Sequence, residues 1–306
     1  MSCKKCIVAL GVILGIIVLL FALAAWWLGL YAQSLANYAP EGTSGIVYAN
    51  VRKVVMHPVS QAIAETETFK KEIGSLRDEM GSDFPLSALF AEVCYFADLT
   101  RLYSHRGIIR FKSRGVAGQL MKSIKENNKD ECKETTVEGL PALVDKLTGQ
   151  ITVVQLESQL LQVSFMDPPR LMKPNPTALS NAVDTKAMFS CAFQFDQAVK
   201  DILENESLPP DVDTLVNALE FITLSLHDAR EKLVLETVLT CKDKEGAAKV
   251  TAIMEKAIND CGAFLNEAAA LKALDNLKIS NDDKKVVIVL PYDNEELIQF
   301  IKKNVP

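Results

Sequence analysis

Catalytic signatures are what this sequence most conspicuously lacks. Its 306 residues contain three histidines, His57, His105 and His227. His57 and His105 have no His, Cys or carboxylate at the spacing that aligns ligands along a helix. His227 has Glu231 four positions on, but across an expected hairpin turn, where that spacing does not bring side chains together. No G-x-S-x-G, Walker A, G-x-G-x-x-G or H-E-x-x-H occurs. Ser225, His227 and Asp228 suggest a Ser/His/Asp grouping, yet neighbours on a strand point to opposite faces and triads are assembled by the fold. The spacing places His227 in a hairpin turn, and no catalytic, cofactor-binding or metal-ligating residue is assigned.

Cysteine is nearly as uninformative. Cys94, Cys132, Cys191, Cys241 and Cys261 follow the first thirty residues, an odd number that does not make a disulfide framework. Cys94, Cys191 and Cys241 sit within apolar runs, where cysteine acts as a small buried hydrophobe, so free thiols are expected. Cys3 and Cys6 form a lone CxxC without the partners of a metal site. A basic cluster is also missing. Lys and Arg number 33 against 39 acidic residues, and setting aside Lys4 and Lys5 takes the net charge from −6 to −8. Such a surface repels phosphate backbones and argues against nucleic-acid binding. The acidic stretch Asp201, Glu204, Glu206, Asp211 and Asp213 lacks EF-hand spacing and its glycine, and reads as a solvated loop.

What the sequence does have is a long apolar run. From Ile7 to Leu30 there is no charged residue. As a helix this run is about 36 Å long, against about 30 Å of hydrocarbon in a bilayer. Ala22-Leu23-Ala24 has a small-x-small cleavage form, but the run continues through Trp26, Trp27, Leu28 and Leu30, too far for a signal-peptide core. The expectation is a retained transmembrane anchor. Lys4 and Lys5 lie before it and the next basic residue is Arg52, so the N-terminus is expected in the cytoplasm. Lys4, Lys5, Trp26, Trp27 and Tyr31 are the expected membrane-interface residues. Gly11 and Gly15 form a GxxxG pair of the kind that drives dimerisation of spans.

Beyond the anchor, periodicity predicts an α+β fold. The expected organisation is a cytoplasmic tail (1–6), a transmembrane helix (7–30), a tether (31–45) and two similar units (46–176 and 177–306). Each unit reads strand-helix-strand-strand-helix-strand-strand, an order derived from the ferredoxin-like one. Sliding the chain by 130 positions lays Leu89 on Leu219, Asp98 on Asp228, Lys112 on Lys242 and Ala117 on Ala247 without a gap. The run Arg170–Pro176 (RLMKPNP) reads as the linker between units.

An N-terminal anchor, a short tether (YAPEGTSG) entering a strand and tandem α+β units resembles bacterial single-pass membrane-anchored proteins of unknown function. The resemblance implies a cell-envelope location, with residues 31–306 periplasmic or extracellular, and brings no site residues. The expected function is a non-catalytic binding or interaction module for a protein, a peptide or an apolar ligand. Two rival readings stand beside it: a hydrolase with an unrecognised active site, and a structural subunit of an envelope complex.

Overall fold

A computed structural model of the chain describes residues 35–71, 90–98, 105–113, 115–127, 129–165, 170–204, 210–264 and 275–305. The run 7–30, with Gly11 and Gly15 inside it and Lys4, Lys5, Trp26, Trp27 and Tyr31 beside it, lies outside these residues. Among the described residues no helix is long and apolar enough to cross a membrane.

The first half comprises β1 (Gly45–Ala49), α1 (Val51–Met56), α2 (Pro58–Ala64), β2 (Phe90–Ala97), β3 (His105–Phe111), α3 (Val116–Asn127), β4 (Cys132–Val137), β5 (Leu140–Asp145), β6 (Ile151–Glu157) and β7 (Leu160–Phe165). The second comprises α4 (Ala178–Ala182), β8 (Phe189–Gln194), α5 (Gln197–Glu204), α6 (Pro210–Ala218), β9 (Leu219–Ala229), β10 (Lys232–Cys241), α7 (Lys244–Phe264), β11 (Lys278–Asp282), β12 (Lys285–Asp293) and α8 (Asn294–Asn304). All twelve strands form one sheet in the order β11-β12-β10-β9-β8-β1-β2-β3-β7-β6-β5-β4, and every neighbouring pair is antiparallel.

This overturns the expected fold class of a transmembrane helix followed by two ferredoxin-like units. A ferredoxin-like unit inserts a later strand between the two strands that its first helical crossover joins, whereas here β1 and β2 pair directly and antiparallel. The halves do not close on themselves either. β1 pairs with β2 on one side and with β8 on the other, with Val47 opposite Tyr95 and Cys191. The cause is visible in β1, GIVYA, whose five residues are all buried. A strand apolar on both faces and left at an edge would expose unpaired amides and carbonyls beside greasy side chains, so it belongs in the middle of a sheet. The outer strands β4 (CKETTV) and β11 (KISND) are instead charged and exposed, as unpaired edges are in soluble sheets.

One row of residues runs across the sheet through successive pairings: Ser225, Ser190, Tyr48, Cys94, Ile108, Gln162, Val154 and Ala142. Every member is buried. Its polar members hold down the segment that joins the two halves. The Gln162 amide donates to Arg170 O at 2.6 Å and accepts from Met172 N at 2.8 Å. Tyr48 Oη donates to Thr185 O at 3.1 Å, and Ser190 Oγ accepts from Asp184 N at 3.1 Å. The Pro-containing run read as a linker is therefore a strap stitched across the sheet, with Met172, Leu179 and Val183 in the core. The stretch read as a tether also enters the fold: Leu35 and Ala36 are fully buried, and Asn37 O accepts from Asn175 N. Elsewhere α3 packs Ala117 and Met121 into the main core, and α7 packs Ala247 and Val250 against Leu239 and Val286.

Candidate functional site

The three histidines all meet a polar partner, at three separate places. His57 forms the N-cap of α2: its Nδ1 accepts from Val59 N at 3.3 Å. Nε2 is then the protonated nitrogen; it is buried without a hydrogen-bond partner and faces Asp228 Oδ1 at 3.9 Å. Burial lowers the His57 pKa, and the Asp228 carboxylate opposes that shift. His227 does not lie in a turn, as the sequence suggested. It sits in β9 opposite Val234, and its Nε2 faces Asp184 Oδ2 at 3.7 Å. The hairpin turns three residues later at Arg230, whose φ of 65° is left-handed.

Ser225, His227 and Asp228 are accordingly not brought together. Ser225 Oγ bonds Ser190 Oγ at 3.0 Å, His227 faces Asp184, and Asp228 faces His57. Among the described residues no group of three or more His, Cys, Asp or Glu is arranged to hold a metal ion. The acidic stretch is engaged with its own surroundings: Asp211 pairs with Lys256 at 2.8 Å and Asp213 accepts from Asn217 at 3.1 Å. Cys94, Cys132, Cys191 and Cys241 are free thiols, and burial raises the pKa of each, that of Cys191 to about 11.

The third histidine marks a cleft. At one end of the sheet, pairing sets His105, Phe165 and Ile151 in a row, with Asp145 one strand further on. These residues, with Leu147, Thr148 and Gln150, line a cleft of about 470 Å³. Tyr95 stacks on His105 with ring centroids 5.6 Å apart, and its hydroxyl is hydrogen-bonded to His105 Nδ1. That bond fixes the imidazole as part of an aromatic wall.

The opposite wall is a turn that Asp145 holds rigid. Asp145 Oδ1 accepts from Leu147 N at 3.0 Å, Oδ2 accepts from Thr148 N at 2.9 Å and from the Thr148 hydroxyl, and Asp145 O accepts from Gly149 N at 3.0 Å. Hydrogen bonding by Thr148, then by the Leu147 and Thr148 amides, keeps the Asp145 carboxyl below its usual pKa. Gly149, at φ 66°, supplies the left-handed step that closes the turn. Its product is an exposed apolar lip, with Leu147 83% and Ile151 41% exposed. Sequence reasoning missed this site. The available signal was the D-x-x-T-G run between two strand patterns, which marks an Asx-type turn with a leucine inside it.

No family model matches the chain, and no curated protein matches it. Solved structures of the protein TP0453 are similar to it. Crystal form III is 13% identical, with a TM-score of 0.47 over 88% of this chain and 97% of that one. Crystal form IV is 13% identical, with a TM-score of 0.48 over 87% and 95%. Crystal form I is 14% identical, with a TM-score of 0.46 over 90% and 98%. The likeness is one of overall architecture and carries over no residue.

Proposed function

We propose that this chain is a non-catalytic binding module of the bacterial cell envelope, held at the outer side of the cytoplasmic membrane, and that it receives an apolar segment of a partner protein in the His105–Phe165 cleft. The observation that carries the reading is the lip: a turn fixed by four hydrogen bonds that Asp145 accepts, whose leucine is left almost wholly in water. An exposed leucine costs nothing to replace by a polar residue unless something covers it, and a rigid turn spares a partner the entropy of ordering it. Aromatic walls beside such a lip suit a side chain inserted from a partner, in the manner of interface anchors. The envelope location rests on the charge-free run 7–30 with Lys4 and Lys5 before it.

A photo-crosslinking residue at position 147 in intact cells tests the module. The expected result is one discrete adduct, which Ile151→Asp abolishes and which a crosslinker at Glu134 on the edge strand does not reproduce. An adduct pattern identical at both positions would overturn the assignment. Protease added to spheroplasts tests the location, and survival of the full-length chain until lysis would refute it.

A further inference from the structure

A second feature lies at the opposite side of the molecule and is independent of the cleft. Lys200 projects from α5 into the protein and is 4% exposed. Its Nζ donates to Leu219 O at 3.2 Å. An ammonium carries three donors, and a buried one left partly unpaired is costly. The side chain of Lys242 lies against it and, being another donor, does not relieve that cost. Lys242 cannot swing its backbone away, since its N–H donates to Ala218 O at 2.9 Å and its carbonyl accepts from Lys284 Nζ at 2.7 Å.

Three lysines from α5, from the β10–α7 connection and from the β11–β12 turn thus gather at one end of the sheet. Glu220 and Asp196 act on Lys200 from a distance, but neither forms an ion pair with Lys200 or Lys242 among the described residues. Burial, followed by contact with Lys242, lowers the Lys200 pKa to about 8. Two lysine side chains therefore meet with no carboxylate paired to either one among the described residues.

We infer that Lys200 and Lys242 form a binding site for one small oxyanion of the phosphate type. Such an anion supplies the acceptors that the Lys200 ammonium lacks and converts the repulsion between the two lysines into two charge-assisted hydrogen bonds. Lys242, which is exposed, forms the entrance, and Lys200 forms the floor. The depth of Lys200 favours a free anion over a phosphate carried by a lipid headgroup.

The test is calorimetric titration of the full chain in detergent micelles with inorganic phosphate at fixed ionic strength. One saturable site per chain is expected, weakened at least about tenfold by Lys242→Met and by Lys200→Met. Lys249→Met, which removes a lysine paired with Glu245 on α7, should leave the affinity unchanged. Because Lys200→Met alters a buried position, the surface variant Lys242→Met carries the test if the other fails to fold. Absence of saturable binding to the wild type, or equal affinity in Lys242→Met, would overturn the inference. So would binding to phosphatidylcholine vesicles doped with phosphatidic acid in the absence of any binding of inorganic phosphate.

Discussion

Replacing Gln162 by methionine removes the clamp on the inter-half strap while nearly conserving volume. Gln162 is fully buried and makes three hydrogen bonds: to Ser164 Oγ at 3.1 Å, to Arg170 O at 2.6 Å and from Met172 N at 2.8 Å. At about 1 kcal/mol each, their loss costs about 3 kcal/mol, and leaving the buried Met172 N–H without an acceptor adds roughly 1–3 kcal/mol. The whole domain is expected to hold only about 5–15 kcal/mol, so the change is large. Urea unfolding of the full chain in detergent, followed by far-ultraviolet circular dichroism, should show a lower midpoint at unchanged slope. Hydrogen exchange of the Met172 amide should accelerate in the same variant, because its protection depends on Gln162 Oε1. A loss below about 1 kcal/mol, with that amide still protected, would refute the stitched-strap account.

Three further outcomes follow from the packing and the titrating groups. Gly45→Ala should destabilise by about 1–3 kcal/mol in the same unfolding assay, because a Cβ there would lie 2.8 Å from the Phe193 ring across the β1–β8 pair. His57 titrates below its unfolded value, so its contribution to stability is intact above the unfolded pKa and declines as pH falls; the urea midpoint should drop between about pH 7 and pH 5, and drop less in His57→Asn, which retains a capping side chain. Cys94 should resist a thiol reagent until the protein unfolds, while Cys132, which is half-exposed in edge strand β4, should react in the native state; mass spectrometry of the labelled peptides checks both.

Local elements were legible in the sequence where period and turn chemistry agree. The β9–β10 hairpin follows from two alternating apolar runs, and the apolar stripe of α7 from the spacing of Val250 and Met254, both turned toward the second core. Strand β4 is not legible because CKETTV has no apolar alternation, most of its residues being exposed at an edge. Neighbour relations beyond the hairpins are not legible. Nothing in GIVYA says that its second partner is β8, since burial on both faces marks a central strand without naming who flanks it. The strap reads as a spacer because its prolines and polar residues resemble one. Its acceptors and donors are met by Gln162, a polar residue within an apolar strand whose significance depends on what lies over it. His227 reads as a turn residue because strand β9 extends three residues beyond Leu226, where its apolar alternation ends.

The seam between β1 and β8 constrains how the chain can be made. β1 is the first strand among the described residues to leave the ribosome, and its second neighbour is synthesised only after all of β2 to β7. Until then the first half has a hydrophobic strand with one open side, the kind of surface that recruits wrong partners from other chains. Completion of the sheet must also pay for closing a loop of well over a hundred residues, and such distant pairings form late. A chain truncated before β8 should therefore stay bound to holding chaperones of the compartment in which it folds, and release should require Phe189–Gln194.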